Sequence, residues 1–151
     1  MLEQSGTGNM KCWAGLVAVA LVLAGARASD AAVRIADDPG GRIGKYVSKY
    51  QRMRASGQTV IIDGLCASAC TIVLSTIPPD KICITSQANF VFHAAWDFGA
   101  RGQVVTNREA TRMLYSMYPA SVRRWIAHRG GLTPRAISLR GKPLQAMYHS
   151  C

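Results

Sequence analysis

Apolar positions along the chain change their spacing from one stretch to the next, and those changes outline a set of elements. From Thr59 the run Val60-Ile61-Ile62 is β-branched and unbroken, Asp63-Gly64 interrupts it, Ala67, Ser68 and Ala69 are small, and Thr71 to Leu74 is mostly apolar. This reads as a buried strand, a tight turn at Ser68 and a helix from about Ala69 to Ser75. Upstream, Val33-Arg34-Ile35 alternates as a short strand and Asp37-Asp38-Pro39-Gly40-Gly41 reads as a loop. Ile43, Tyr46, Val47, Tyr50 and Met53 then recur at intervals of three and four, which predicts an amphipathic helix closed by Ser56-Gly57. Strand, loop, helix and strand in this order form a right-handed crossover. It brings the Gly40-Gly41 loop and the Ser68 turn to one carboxyl edge of a parallel sheet, where α/β proteins bind ligands.

Pro78-Pro79-Asp80 stops the first run of helix, and Lys81 to Thr85 and Asn89 to His93 read as strands, the second ending on the histidine. Ala94 to Val105, rich in Gly and small residues, reads as a mobile loop. Glu109 to Tyr118 and Ser121 to His128 read as helices separated by Pro119, with Gly130-Gly131 after the second, and Thr133 to Ser138 as one more short helix start. The pattern is that of a single α/β domain over residues 29–151, without internal repeats or low-complexity segments.

Residues 1–28 have the layout of a signal peptide. Lys11 precedes an apolar run from Trp13 to Ala24, too short to cross a bilayer as a helix, and Ala26-Arg27-Ala28 supplies the small-x-small cleavage pattern. The mature protein is then periplasmic or secreted; an uncleaved segment would be a membrane anchor. Export changes how the cysteines read. Cys12 leaves with the peptide, and Cys66, Cys70, Cys83 and Cys151 form an even set in an oxidising compartment, so two disulfides are expected, in any of three pairings. Cys66 and Cys70 have metal-like spacing, but no second close pair accompanies them, so no metal is expected, and no cofactor motif appears.

Composition narrows the function. Apolar content of 49% with 17% charged residues is that of a globular chain. The formal charge of +10 is scattered and lacks an aromatic-basic motif, which argues against nucleic acid and leaves anionic surfaces as partners. The chemistry rests on Ser68. A serine at a helix start either caps the helix or attacks something bound at its positive end. Attack needs a base, and His93 at a strand end can supply one. A developing oxyanion needs N–H donors, for which Ala69 and the Gly40 or Gly41 amide are candidates.

The order strand, Gly-Gly loop, helix, strand, Ser68 among small residues, and a strand ending in His93 resembles the core of the proteolytic subunit of Clp protease and its exported relatives in the ClpP/crotonase superfamily. The resemblance covers roughly Val33 to Ala95 and extends weakly to Gly141. It implies a repeated β-α-β core with a mostly parallel sheet and C-terminal helices, Ser68 as nucleophile, His93 as its base, and Gly40 and Gly41 beside the oxyanion hole. The family's orienting aspartate comes late in the domain, whereas here no acid follows Glu109, and Ser138 to Pro143 is basic or neutral. Loss of that carboxylate costs on the order of 10⁴ in turnover in serine proteases. Asp97 is the local substitute, ahead of Asn107 and Glu109. The expected function is that of an exported, peptidase-like serine hydrolase acting on a peptide or small acyl substrate, as a monomer or a homo-oligomer, with no partner ATPase. The alternative is a catalytically inactive crotonase-fold binding module that uses the same cleft.

Overall fold

The computed structural model of the protein describes residues 31–151, and its longest strand, β2 (Val60–Ala67), continues straight through Gly64. Strand β1 (Val33–Asp38) pairs with it in parallel, Ile35 opposite Ile62 and Asp37 opposite Leu65, so Asp63 and Gly64 together face Ala36 in a bulge. A Cβ on Gly64 would lie 2.0 Å from the Ala36 carbonyl oxygen. Glycine is required there by the close approach of the two backbones, and the turn comes at Ser68, after the strand. The strand β1 also runs on through Asp37 and Asp38, which the sequence pattern assigns to a loop, because β2 offers ladder partners as far as Cys66.

Helix α1 (Ile43–Ala55) buries Tyr50 fully, with Ile43, Tyr46, Val47 and Met53 packed against the core as the spacing predicts. Basic Arg52 and Arg54 in its last turn face the negative end of the helix dipole. After β2 the chain enters a 3-10 turn (Ser68–Ile72) and only then the short helix α2 (Val73–Thr76). Strands β3 (Ile82–Ile84) and β4 (Asn89–Phe92) follow, both parallel to β2. The first half of β2 pairs with β3 and its second half with β4.

Two stretches differ from their sequence pattern. The segment expected as a loop from Ala94 contains an antiparallel hairpin of β5 (Trp96–Phe98) and β6 (Val104–Thr106). Three-residue strands are too short for a period-2 signal, and every residue in them is exposed. Beyond α3 (Arg108–Met117) and α4 (Ala120–Ala127), the expected helix start at Thr133–Ser138 instead leads into a strand, β7 (Ile137–Arg140). It lies antiparallel to β4, with Leu139 opposite Phe90 and fully buried. Thr133-Pro134 looks like a helix cap, but burial of Leu139 in the sheet outweighs local propensity. Helix α5 (Lys142–Gln145) ends the element series.

The fold is therefore mixed α/β, with a mostly parallel sheet in the order β1-β2-β4-β7 and β3 on β2. Its core joins Val60, Ile62, Ile72, Ile82, Phe90 and Leu139 to Tyr50 and the α3–α4 residues Leu114, Tyr118, Val122 and Ile126. Two disulfides are present, Cys66–Cys70 and Cys83–Cys151, with Cα separations of 5.2 and 4.9 Å. They are consistent with an oxidising compartment. The expected signal peptide lies outside the described residues. Among the described residues no helix is long and apolar enough to cross a membrane, and no group of side chains could hold a metal ion.

Candidate active site

Ser68 follows the last residue of β2 and takes φ +53°, the only positive φ outside glycine among the described residues. For a residue with a Cβ this left-handed conformation is uncommon and costs of order 1–3 kcal/mol. It is not explained by capping. The cap position belongs to Ala67, and no side chain makes a cap hydrogen bond there. The strain is held from several sides. The Cys66–Cys70 disulfide closes across the turn rather than out to β3, Thr71 Oγ1 donates to Ser68 O at 2.6 Å, and Tyr118 lies 2.6 Å from Thr71 Oγ1. Because the Thr71 proton goes to a carbonyl, the Tyr118 hydroxyl is the donor in that second bond. Thr71 is fully buried, and burial pushes the Tyr118 phenol up to about 12, so it stays a neutral donor at ordinary pH.

The glycine loop between β1 and α1 packs directly on this turn. Gly40 has φ +89°, and a Cβ there would stand 2.5 Å from Ala67 O, 2.7 Å from Ser68 Cβ and 2.9 Å from Ala69 N. Only glycine allows the two backbones to approach so closely. Asp38 anchors the loop: its Oδ1 accepts from Gly40 N at 3.0 Å and from the Tyr46 hydroxyl, and Lys49 Nζ lies 3.4 Å from its Oδ2. Burial and the Asp38 carboxylate push the Tyr46 phenol up to about 12. With its N–H committed to Asp38, Gly40 acts as a spacer and not as the oxyanion donor the sequence suggested. The remaining candidate donors are Gly41 N–H, at the cleft, and Ala69 N–H, which is in the first turn of the 3-10 segment, where no intrahelical acceptor is available, and belongs to a buried residue that does not itself line the cleft.

His93 comes one residue after β4, and half-buried like Ser68 it faces the same cleft of about 850 Å³. Phe92, Leu114 and Tyr118 supply buried apolar lining, and exposed Arg42, with Trp96 and Phe98 from the hairpin, completes it. The ring Nδ1–H of His93 donates to Ala94 O at 2.8 Å, since a carbonyl can only accept. This leaves Nε2 with its lone pair, the form a base requires. Asp97 also lines the cleft, but its Oδ2 accepts from Asn107 Nδ2 at 2.6 Å, tying β5 to the start of α3. The structure therefore brings Ser68, His93, Asp97, Gly40 and Gly41 to one cleft but gives the role of imidazole partner to a backbone carbonyl in place of Asp97. Asn107 caps α3 through Ala110 N, and Glu109 lies exposed in the first turn of α3.

Sequence reasoning does not find Asp38, Thr71 or Tyr118. Thr71 and Tyr118 are 47 positions apart and meet only in the folded core. The hairpin had a faint signal, since Trp96-Asp97-Phe98 and Val104-Val105-Thr106 flank a stretch with two glycines. No family model matches this chain, and no curated protein does.

Proposed function

We propose that this cleft is the active site of an exported serine hydrolase, peptidase-like in reaction, and that the domain is a relative of the ClpP/crotonase superfamily. The observation that carries the reading is the Ser68 turn. A serine held at φ +53° by a disulfide and a buried hydroxyl pair, with no capping duty, faces a cleft that also holds a histidine whose Nδ1–H goes to a backbone carbonyl, leaving Nε2 its lone pair. Strain of this kind concentrates at sites where a side chain must be presented to a ligand.

In the proposed reaction Nε2 of His93 takes the Ser68 hydroxyl proton as Oγ attacks the acyl carbon, and returns it to the leaving group. Gly41 N–H and Ala69 N–H stabilise the oxyanion, each donor being worth about 3 kcal/mol of barrier. The substrate is a peptide or small acyl compound whose apolar part lies against Phe92, Leu114 and Tyr118. Two disulfides support work in an oxidising compartment, without an ATP-driven partner.

A second reading, a binding module without chemistry, is favoured by one observation: among the described residues no carboxylate is hydrogen-bonded to His93. Labelling with a fluorophosphonate probe separates the two. Covalent labelling of the oxidised protein that disappears in Ser68→Ala supports the hydrolase. Absence of labelling in the folded wild type, or labelling that survives Ser68→Ala, ends it.

A further inference from the structure

We infer that Thr111 is a positioning residue for His93, acting through the Ala94–Ala95 peptide in the place where serine hydrolases use a carboxylate. The inference rests on the reading of His93 as the base for Ser68.

The peptide that receives the imidazole proton is itself held from its other side. Ala94 O accepts from His93 Nδ1 at 2.8 Å, and the N–H of the same peptide unit, that of Ala95, donates to Thr111 Oγ1 at 2.9 Å. The Thr111 hydroxyl in turn donates to Asn107 O at 2.6 Å. Imidazole N–H, peptide C=O and N–H, hydroxyl and carbonyl thus form one directed chain in which each bond polarises the next. The far end is fixed as well. Asn107 N donates to Ala95 O at 2.8 Å, and Asn107 Oδ1 caps α3 by accepting from Ala110 N at 2.8 Å. Ala94 and Ala95 are themselves buried, so little of the peptide between the histidine and the threonine is open to solvent.

A threonine in the first turn of a helix commonly returns its hydroxyl to the carbonyl four residues back, and that habit alone accounts for the Asn107 contact. It does not account for the bond from Ala95 N, which comes from outside the helix and from the peptide unit whose carbonyl receives the His93 proton. That bond holds the plane of the Ala94 carbonyl and with it the Nδ1–H tautomer of the ring. Asp97 does not take this part in the structure: its Oδ2 accepts from Asn107, and the ring Nδ1–H goes to Ala94 O.

The test uses the full, oxidised chain and reads the tautomer directly from the ¹⁵N shifts of the neutral His93 ring. Wild type is expected as Nδ1–H. Thr111→Val keeps the shape and loses the acceptor, and should move the ring toward Nε2–H; Thr111→Ser keeps a hydroxyl and should restore Nδ1–H. Fluorophosphonate labelling of Ser68 should fall about tenfold or more in Thr111→Val and recover in Thr111→Ser. An Nε2–H ring in the wild type overturns the inference without any variant. So does an unchanged tautomer in Thr111→Val, or an equal shift in both variants. If the tautomer responds as expected while the wild type takes no label, Thr111 keeps its role and the hydrolase reading fails.

Discussion

At the scale of single residues, the two loop glycines make opposite predictions from adjacent positions. Gly40→Ala places a methyl 2.5 Å from a carbonyl oxygen in a left-handed conformation, so it should destabilise the fold by at least about 1–2 kcal/mol and displace the Ser68 turn. At Gly41 an added Cβ meets only Tyr46 Cε2, at 3.5 Å, an ordinary contact. Gly41→Ala should therefore unfold with wild-type denaturant dependence, and chemical denaturation of the pair reads the contrast directly. Asp97→Asn should leave probe labelling within about threefold of wild type, because the imidazole's partner is Ala94 O. A loss of orders of magnitude would return Asp97 to the part of orienter.

Among the elements, the β5–β6 hairpin and the start of α3 behave as one unit. Asn107 caps α3 through its side-chain oxygen, reaches Asp97 through its side-chain nitrogen and bonds Ala95 O through its backbone. Asn107→Ala should cost about 1 kcal/mol from the cap alone. Amide hydrogen exchange should show the hairpin and the first turn of α3 loosening together, whereas exchange confined to α3 would mean that the clasp does not couple them. The hairpin presents Trp96 at 46% and Phe98 at 69% exposure, packed edge to face where they line the cleft. A two-stranded ribbon has little stability of its own. Its place along the cleft that Ser68 and His93 also line therefore depends on this attachment to α3.

The whole molecule is tied by two disulfides of very different reach. Cys66–Cys70 spans four positions and Cys83–Cys151 spans 68. Loop-closure entropy then assigns about 2 kcal/mol to the first and about 4 kcal/mol to the second. Opening the long bridge by Cys83→Ser should lower the melting temperature more than opening the short one by Cys70→Ser. Loss of probe labelling should be the larger consequence in Cys70→Ser, since that bridge crosses the Ser68 turn. Equal melting shifts for the two would contradict the loop-length account. The protein should also weaken in alkali. Burial holds the Tyr118 and Tyr148 phenols up to about 12, above their ordinary value near 10. Folded-state stability from these neutral phenols is complete below pH 10 and is lost as pH rises from 10 through 12. Thermal melts across that interval should fall together with the appearance of tyrosinate absorbance. A flat melting temperature would show that both phenols ionise freely in the native state.

What the amino-acid order determines by itself here is local and periodic. The three-and-four spacing from Ile43 to Met53, the β-branched run at Val60 and the breaks at Pro78-Pro79 and Pro119 are each read from neighbours within a few residues, and the even set of four downstream cysteines from a simple count along the chain. Those signals suffice for an α/β reading; Ser68 and His93 are singled out by their place in the order of elements and by the resemblance that order carries. Tertiary structure decided what depends on distant partners. Gly64 lies within a strand because the Ala36 carbonyl approaches it, and Leu139 enters the sheet because Phe90 is there to pair with it. Two roles were reassigned for the same reason. The Gly40 amide is taken by Asp38, and the imidazole proton by a carbonyl whose orientation depends on Thr111, 18 positions beyond His93 in the order of the chain (111 − 93). A hydrogen bond extends about 3 Å in space and has no characteristic spacing in sequence, so no periodicity announces it.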